Sequence, residues 1–225
     1  MTVPVAVLAS GSGTNLQALL DRETESGAYR VELLATDREC GAEDRAVACG
    51  RATRRISFKD RTPDDVGGDM LEALESAGAQ AVVLAGFLRL IPKMVVNAFP
   101  RRILNVHPAL LPSFGGQGMY GIRVHEAVIA SGARLSGPTV HYVDEHYDEG
   151  GILAQWPVPV LADDSAQTLA GRVLAVEHVL LPAAVHAVAR GIASGSDAQF
   201  RWPVQAIEAG PPSFEVVRKA FESSL

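Results

Sequence analysis

Cysteine is nearly absent: Cys40 and Cys49 are the two in 225 residues. They lie nine positions apart with no second pair nearby, which fits neither a zinc site nor a disulfide framework. A reducing, cytoplasmic setting is expected. No uninterrupted apolar run reaches the ~18 residues that span a bilayer, so no membrane association is expected. Residues 1–9 are apolar but lack a basic leader and a cleavage site, and are expected to form a first strand instead of a signal peptide. Positive charge is not in surplus either. The net charge of −6 leaves no general basic surface for nucleic acid, and small molecules are the expected partners of a monomer or homodimer. No internal repeat or low-complexity tract is visible. What remains is the composition of an ordinary globular chain, 48% hydrophobic and 20% charged, long enough for one well-buried domain.

Strand and helix signals alternate along that domain. The apolar run Val3 to Ala9 is closed by Ser10-Gly11-Ser12-Gly13-Thr14-Asn15, and Leu16, Ala18, Leu19 and Leu20 then suggest a helix. Glycines in such a loop permit close backbone approach, and the first helical N–H groups favour an anion, most naturally a phosphate. Gly11-x-Gly13 is half of a dinucleotide fingerprint, and Asp37 lies near the end of the next strand, where a ribose-binding acid would sit. Leu16 stands where the third glycine is expected, so a tight turn without ligand reads equally well. A second strand is expected over Val31 to Thr36, a helix over Ala42 to Gly50, and a short strand near Arg54 to Phe58. Thr62 and Pro63 open a further helix as N-cap and first residue, although Gly67 and Gly68 weaken it. Gln80 to Ala85 reads as a central parallel strand. It leads into an apolar loop, Gly86 to Pro92, whose backbone and side chains suit a flat heteroaromatic ligand.

The stretch Ile103-Leu104-Asn105-Val106-His107-Pro108 carries the clearest chemistry. Positions two apart share a face of a strand, so Asn105 and His107 point the same way. Pro108 ends the ladder because it has no N–H. In an open α/β sheet, ligands bind at such carboxyl ends. Taken alone, a hydrogen-bonded Asn/His pair with no ligand explains the stretch as well. Gly115 to Gly121 then holds four glycines in seven residues, the composition of a lid, a substrate-contact loop or a plain connector. A helix is expected over Val124 to Ser131, strands over Ser136 to Val143 and Ile152 to Val160, and an acidic turn between those strands. Asp163-Asp164-Ser165 caps a long helix expected to reach about Ala189. Residues 192–225, which include Trp202-Pro203 and Gly210-Pro211-Pro212, read as an appendage on a domain of residues 1–191.

Four segments in this order resemble the phosphoribosylglycinamide formyltransferase family of folate-dependent enzymes. They are Ser10 to Leu19, Val82 to Arg89, Leu104 to Pro112, and Thr139 to Val143 continued by Asp148 to Gln155. The resemblance spans roughly residues 3–190. It implies an α/β, Rossmann-like formyltransferase fold with a mostly parallel central sheet flanked by helices and an antiparallel C-terminal hairpin portion. It also implies 10-formyltetrahydrofolate as co-substrate, no metal, and a catalytic set of Asn105, His107 and Asp148. Gly13, Thr14, Asn15 and Glu177 match positions that bind the phosphoribosylglycinamide. Arg61, Leu88, Arg89, Leu90, Ile91, Asn105 and Asp144 match the folate side. The family's short Pro-Gly loop after Pro112 is replaced here by the longer glycine-rich segment.

The implied reaction moves a formyl group onto a primary amine through a tetrahedral intermediate, which needs oxyanion donors and a route for a proton. Asn105 and a protonated His107 are the expected donors, with Asp148 keeping His107 charged and moving the amine proton. Several alternatives share these residues. A formyltransferase for initiator tRNA or a nucleotide sugar uses the same chemistry, a hydrolase replaces the amine with water, and a nucleotide-binding regulatory module needs only the first loop. A metal site of His107, His141 and Asp148 is a further arrangement allowed by residue type.

Overall fold

The structure is a computed structural model and describes residues 1–200. Most of the expected appendage, including Trp202-Pro203 and Gly210-Pro211-Pro212, lies outside the described residues. The elements run β1 (Val3–Ala9), α1 (Thr14–Ser26), β2 (Tyr29–Thr36), α2 (Gly41–Ala48), β3 (Ala52–Arg55), α3 (Pro63–Ser76), β4 (Ala81–Leu84) and α4 (Lys93–Ala98). They continue with β5 (Ile103–His107), α5 (Ile122–Ala130), β6 (Leu135–Ser136), β7 (Thr139–Tyr142), β8 (Ile152–Gln155), β9 (Val158–Pro159) and α6 (Ala166–Ser194).

Seven strands form one sheet in the order β3-β2-β1-β4-β5-β7-β8. The pairs from β3 to β5 are parallel, and β7 and β8 extend the sheet antiparallel. The expected mixed architecture is the one observed. From β1 the chain winds outward to β3, then returns to β4 on the other side, so a crevice opens beyond the carboxyl ends of β1 and β4. Both faces of β1 are buried. Val5, Val7 and Ala9 pack with α1 and α6, while Ala6 and Leu8 pack with α3 on the opposite face. That two-sided burial is why β1 is apolar throughout and does not alternate.

Thr62 caps α3 as expected, accepting a hydrogen bond from the Asp65 N–H at 3.2 Å with Pro63 at the first helical position. Gly67, a weakness for the helix on propensity alone, lets α3 pack closely against the segment that opens α4. A Cβ there would collide with the side chain of Met94 and come within 3.1 Å of Pro92. The short α4 was not expected from sequence. Two expected strands are each broken. Pro138 and Pro157 have no N–H to continue a ladder, so the chain turns at both points and β6 pairs with β9 in a separate small sheet. The third strand lies slightly earlier than expected, at the exposed edge.

Helix α6 runs to Ser194, beyond the expected end near Ala189, and closes on Gly195 in the left-handed region at φ 67°. The proposed boundary at residue 191 therefore falls inside a helix, and Ala198 and Phe200 pack against the main core. Ser165 forms the capping box with Thr168. By length and composition α6 could cross a membrane, yet 72% of its most apolar window is buried within the protein. It is the central core helix.

Candidate active site

Asn105 and His107 stand at the carboxyl end of β5, where the ladder with β7 sets Asn105 opposite His141 and His107 opposite Thr139. The turn after β7 brings Asp148 back over this strand end. It can do so because Gly150 lies against the Tyr142 carbonyl, where a Cβ would overlap that oxygen. Asp148 itself takes a positive φ of 59°. Its Oδ1 lies 3.4 Å from Asn105 Nδ2, and its Oδ2 lies 3.4 Å from His107 Nδ1. Asn105 and His107, two residues apart on β5, thus meet Asp148 from the turn after β7 around one small space.

The glycine-rich segment closes one side of this space. The Gly116 N–H donates to Asp148 Oδ2 at 3.0 Å, and a Cβ on Gly115 would stand 3.2 Å from Asp148 Cβ. The Phe114 carbonyl accepts from His107 Nε2 at 2.8 Å. A carbonyl only accepts, so Nε2 carries the proton and Nδ1 faces the Asp148 carboxylate. His141 Nδ1 donates to the Tyr142 carbonyl at 2.9 Å, and its Nε2 lies 3.0 Å from Asn105 Nδ2 and 3.5 Å from Asp148 Oδ1. The Asn105 amide nitrogen therefore faces both His141 and, at the longer distance, Asp148 beside the cavity.

The electrostatics alter one expectation. Burial pushes the His107 pKa below the ordinary histidine value, and this outweighs Asp148 and the Phe114 carbonyl, which favour the charged ring. The resting imidazole is therefore neutral at pH 7, with its lone pair on Nδ1. Asp148 is held below the usual carboxylate range despite its burial, by His141, His107 and the Gly116 amide. It is ionised.

A cavity of about 420 Å³ opens over these residues. Asn15, Leu88, Arg89, Leu90, Ile91, Asn105, His107, Asp148 and Glu177 line it. At one end Asn15 Nδ2 donates to Glu177 Oε2 at 2.7 Å, while Asn15 Oδ1 is buried without a partner. Burial pushes the Glu177 carboxyl up to about 7, against the hydrogen bond from Asn15. The pair presents oxygen acceptors suited to sugar hydroxyls. At the other end the loop from Gly86 to Ile91 forms an apolar wall.

Four expected site residues stand off the cavity wall. Arg61 is turned onto α3, bonding Asp69 at 2.6 Å and the Asp65 carbonyl at 3.0 Å. Asp144 accepts from the His146 N–H at 2.8 Å within its own turn. Thr14 begins α1, with Gly13 as its N-cap at φ 75°, pressed so close to α2 that a Cβ would come within 2.6 Å of Ala42 Cα. Two lining histidines had no assigned catalytic role. His141 orients Asn105, and His125 on α5 is 4% exposed with Nδ1 unpartnered. Burial and the neighbouring His107 both lower the His125 pKa. Among the described residues no cluster of three or more His, Cys, Asp or Glu side chains suits a metal ion.

The sequence profile of formyl transferases matches residues 3–185. The chain is 45% identical over 190 residues to a chloroplastic phosphoribosylglycinamide formyltransferase of Vigna unguiculata, covering 82% of this chain and 60% of the relative. It is also 45% identical over 188 residues to the Arabidopsis thaliana protein of the same name, covering 82% and 64%. It thus spans less than two thirds of the length of either plant relative. The structure of glycinamide ribonucleotide transformylase 1 from Symbiobacterium toebii superposes with a TM-score of 0.79 at 36% identity, covering 84% of this chain and 89% of that one. The chain belongs to the formyl transferase family.

Proposed function

We propose that the protein transfers the formyl group of 10-formyltetrahydrofolate to the amine of N1-(5-phospho-D-ribosyl)glycinamide, as a step of de novo purine biosynthesis. The observation that carries this reading is the convergence of Asn105, His107 and Asp148 between two unlike ends of one cavity. The apolar loop from Gly86 to Ile91 suits the pterin ring, with backbone groups for its edge. Asn15 and Glu177 suit the ribose, and the start of α1 at Gly13-Thr14, off the wall but next in sequence to the lining Asn15, suits a phosphate that reaches past the cavity. Cytoplasmic action on small molecules is part of the same proposal.

The amine attacks the formyl carbon, giving a tetrahedral intermediate with a negative oxygen and a positive nitrogen. The second Asn105 N–H donates to that oxygen, and one such donor is typically worth about 3 kcal/mol of barrier. The paired His107 Nδ1 and Asp148 carboxylate take the proton from the former amine. The imidazolium formed there is stabilised by Asp148 and returns the proton to the folate nitrogen as the bond to it breaks. Phe114 keeps Nε2 occupied, so Nδ1 is the working nitrogen. No covalent enzyme intermediate is involved.

Mixing purified protein with the formyl donor, with and without the glycinamide acceptor, tests this reading. Deformylation of the folate that depends on the acceptor supports it. Equal turnover without acceptor makes the protein a hydrolase, and no turnover leaves only a binding module.

A further inference from the structure

We propose that Asp37 is a positioning residue for the donor end of the cavity, acting through Arg89 and the loop that carries it. Asp37 follows β2, at the place where a dinucleotide-binding fold holds the acid for a ribose. Here it is not a ligand residue. Its side chain has 0% exposure and does not line the cavity.

The carboxylate is instead engaged from within. Arg89 Nε donates to Oδ2 at 2.8 Å, Arg38 Nη2 donates to the same oxygen at 2.8 Å, and Arg38 Nε bridges both oxygens at 3.2 Å. Ser10 supplies a further hydrogen bond to it. The Ser10 hydroxyl also accepts from the Leu88 N–H at 3.1 Å, and the Ser10 N–H donates to the Gly86 carbonyl at 3.1 Å. One buried acid therefore holds the Gly86–Ile91 loop by a side chain, Arg89, and through Ser10 by the backbone amide of Leu88.

The Arg89 guanidinium is fixed on a second side. It lies 5.7 Å from the Phe58 ring centroid, and Phe58 meets Phe87 edge-on at 5.9 Å. Among the described residues Nε is the only Arg89 nitrogen that makes a hydrogen bond, and Arg89 lines the cavity, so its Nη groups are uncommitted to the protein. Holding an arginine in place before the ligand arrives removes part of the ordering cost of binding. A long arginine without this clamp would have to be ordered on binding, and the loop amide would lose its second support.

The proposal rests on the reading of the Gly86–Ile91 loop as the wall for the folate donor. The test measures kcat and both KM values for wild type, Asp37→Ala, Asp37→Asn, Arg89→Gln and the double variant Asp37→Ala/Arg89→Gln. Asp37→Ala is expected to raise the donor KM about tenfold, the effect of losing one charge-assisted hydrogen bond, with the acceptor KM within about twofold of wild type. Asp37→Asn keeps an acceptor oxygen and recovers most of the loss. The double variant is no worse than Arg89→Gln alone, because the two residues act as one unit.

Equal changes in both KM values, no change, or single effects that multiply in the double variant would overturn the proposal. Should Asp37→Ala fail to fold by circular dichroism, Asp37→Ser is measured and read in the same way. Calorimetric titration with tetrahydrofolate separates the inference from the proposed reaction. A wild type that binds tetrahydrofolate but transfers nothing overturns the reaction alone, and the same tenfold loss of affinity in Asp37→Ala supports the clamp. A wild type that does not bind tetrahydrofolate overturns both.

Discussion

The Phe114 carbonyl oxygen lies 2.8 Å from His107 Nε2 and fixes which nitrogen of that ring carries the proton. Nδ1 is left facing Asp148 Oδ2 at 3.4 Å, and burial keeps the ring neutral at rest. Because the His107 pKa is lowered, kcat/KM should rise with pH along a limb whose midpoint lies below the ordinary histidine value of about 6.5. The Asp148 charge favours the protonated ring, so its removal in Asp148→Asn moves that limb to still lower pH while lowering turnover about a hundredfold. A pH–rate profile of both proteins checks the sign. A limb that moves upward in the variant contradicts the assigned pairing.

Asn105 Nδ2 lies 3.0 Å from His141 Nε2 and 3.4 Å from Asp148 Oδ1, and the proposed mechanism turns the second N–H to the developing oxyanion. Asn105→Ala should lower kcat about a hundredfold or more, with KM values little changed and thermal stability within about 1 kcal/mol. Steady-state kinetics beside a melting curve separates the two effects. Near-normal turnover in a folded variant rules out the oxyanion role.

Glu177 carries a pH-dependent stability term. Its folded pKa of about 7 lies above the unfolded carboxylate value, so the native state binds more protons between those values and stability falls as pH rises through that window. Glu177→Gln removes the term. The variant should match wild type below about pH 4 and exceed it by on the order of 3 kcal/mol at pH 8, as an upper bound. The lowered pKa values of the four buried or half-buried histidines His107, His125, His178 and His186 act in both proteins and cancel in the difference. Denaturant melts at the two pH values measure it, and a difference that shrinks with rising pH would contradict the burial argument.

Gly115 packs against Asp148. A Cβ there would come within 2.5 Å of Leu111 Cδ2 and 3.2 Å of Asp148 Cβ. Gly115→Ala should push Asp148 off its line to His107 and lower kcat roughly tenfold, since sub-ångström displacement at a reacting centre has effects of that order or more. Gly118→Ala in the same segment has φ 88° but no atom within 4 Å of a Cβ, and should leave Asp148 in place. Comparing kcat of the two variants distinguishes displacement of Asp148 from general stiffening of the segment.

The sequence made one half of the proposed catalytic set legible and hid the other. Asn105 and His107 share a strand, so period-two geometry and the stop at Pro108 place them together. Asp148 reaches them through a turn whose path depends on Gly150 packing on the Tyr142 carbonyl, a tertiary contact without a sequence period. The resemblance supplied it. Arg61, which the resemblance matched to the folate side, pairs instead with Asp69 on α3, and Asp144 bonds within its own turn, local contacts that no sequence match displays.

His125 escaped because its position on α5, between the buried Val124 and Val128, gives it the pattern of an ordinary core residue. Strand breaks at Pro138 and Pro157 were visible as prolines, but the small sheet formed by β6 and β9 was not, because it depends on two short segments meeting in space. Asp37 was noticed for the right position and given the wrong partner. Strand-end placement was readable; the arginine that occupies it comes from β4's following loop, 52 residues later.

The central claim is that the formyl carbon passes from the folate nitrogen to the glycinamide amine within this one cavity. Donor carrying a ¹³C-labelled formyl group, incubated with the acceptor and the protein, should deliver its label to the glycinamide nitrogen as an N-formyl resonance in the ¹³C spectrum. Replacing Asn105 by Ala should slow that signal about a hundredfold. Label recovered as free formate at the same rate with or without the acceptor would contradict the account.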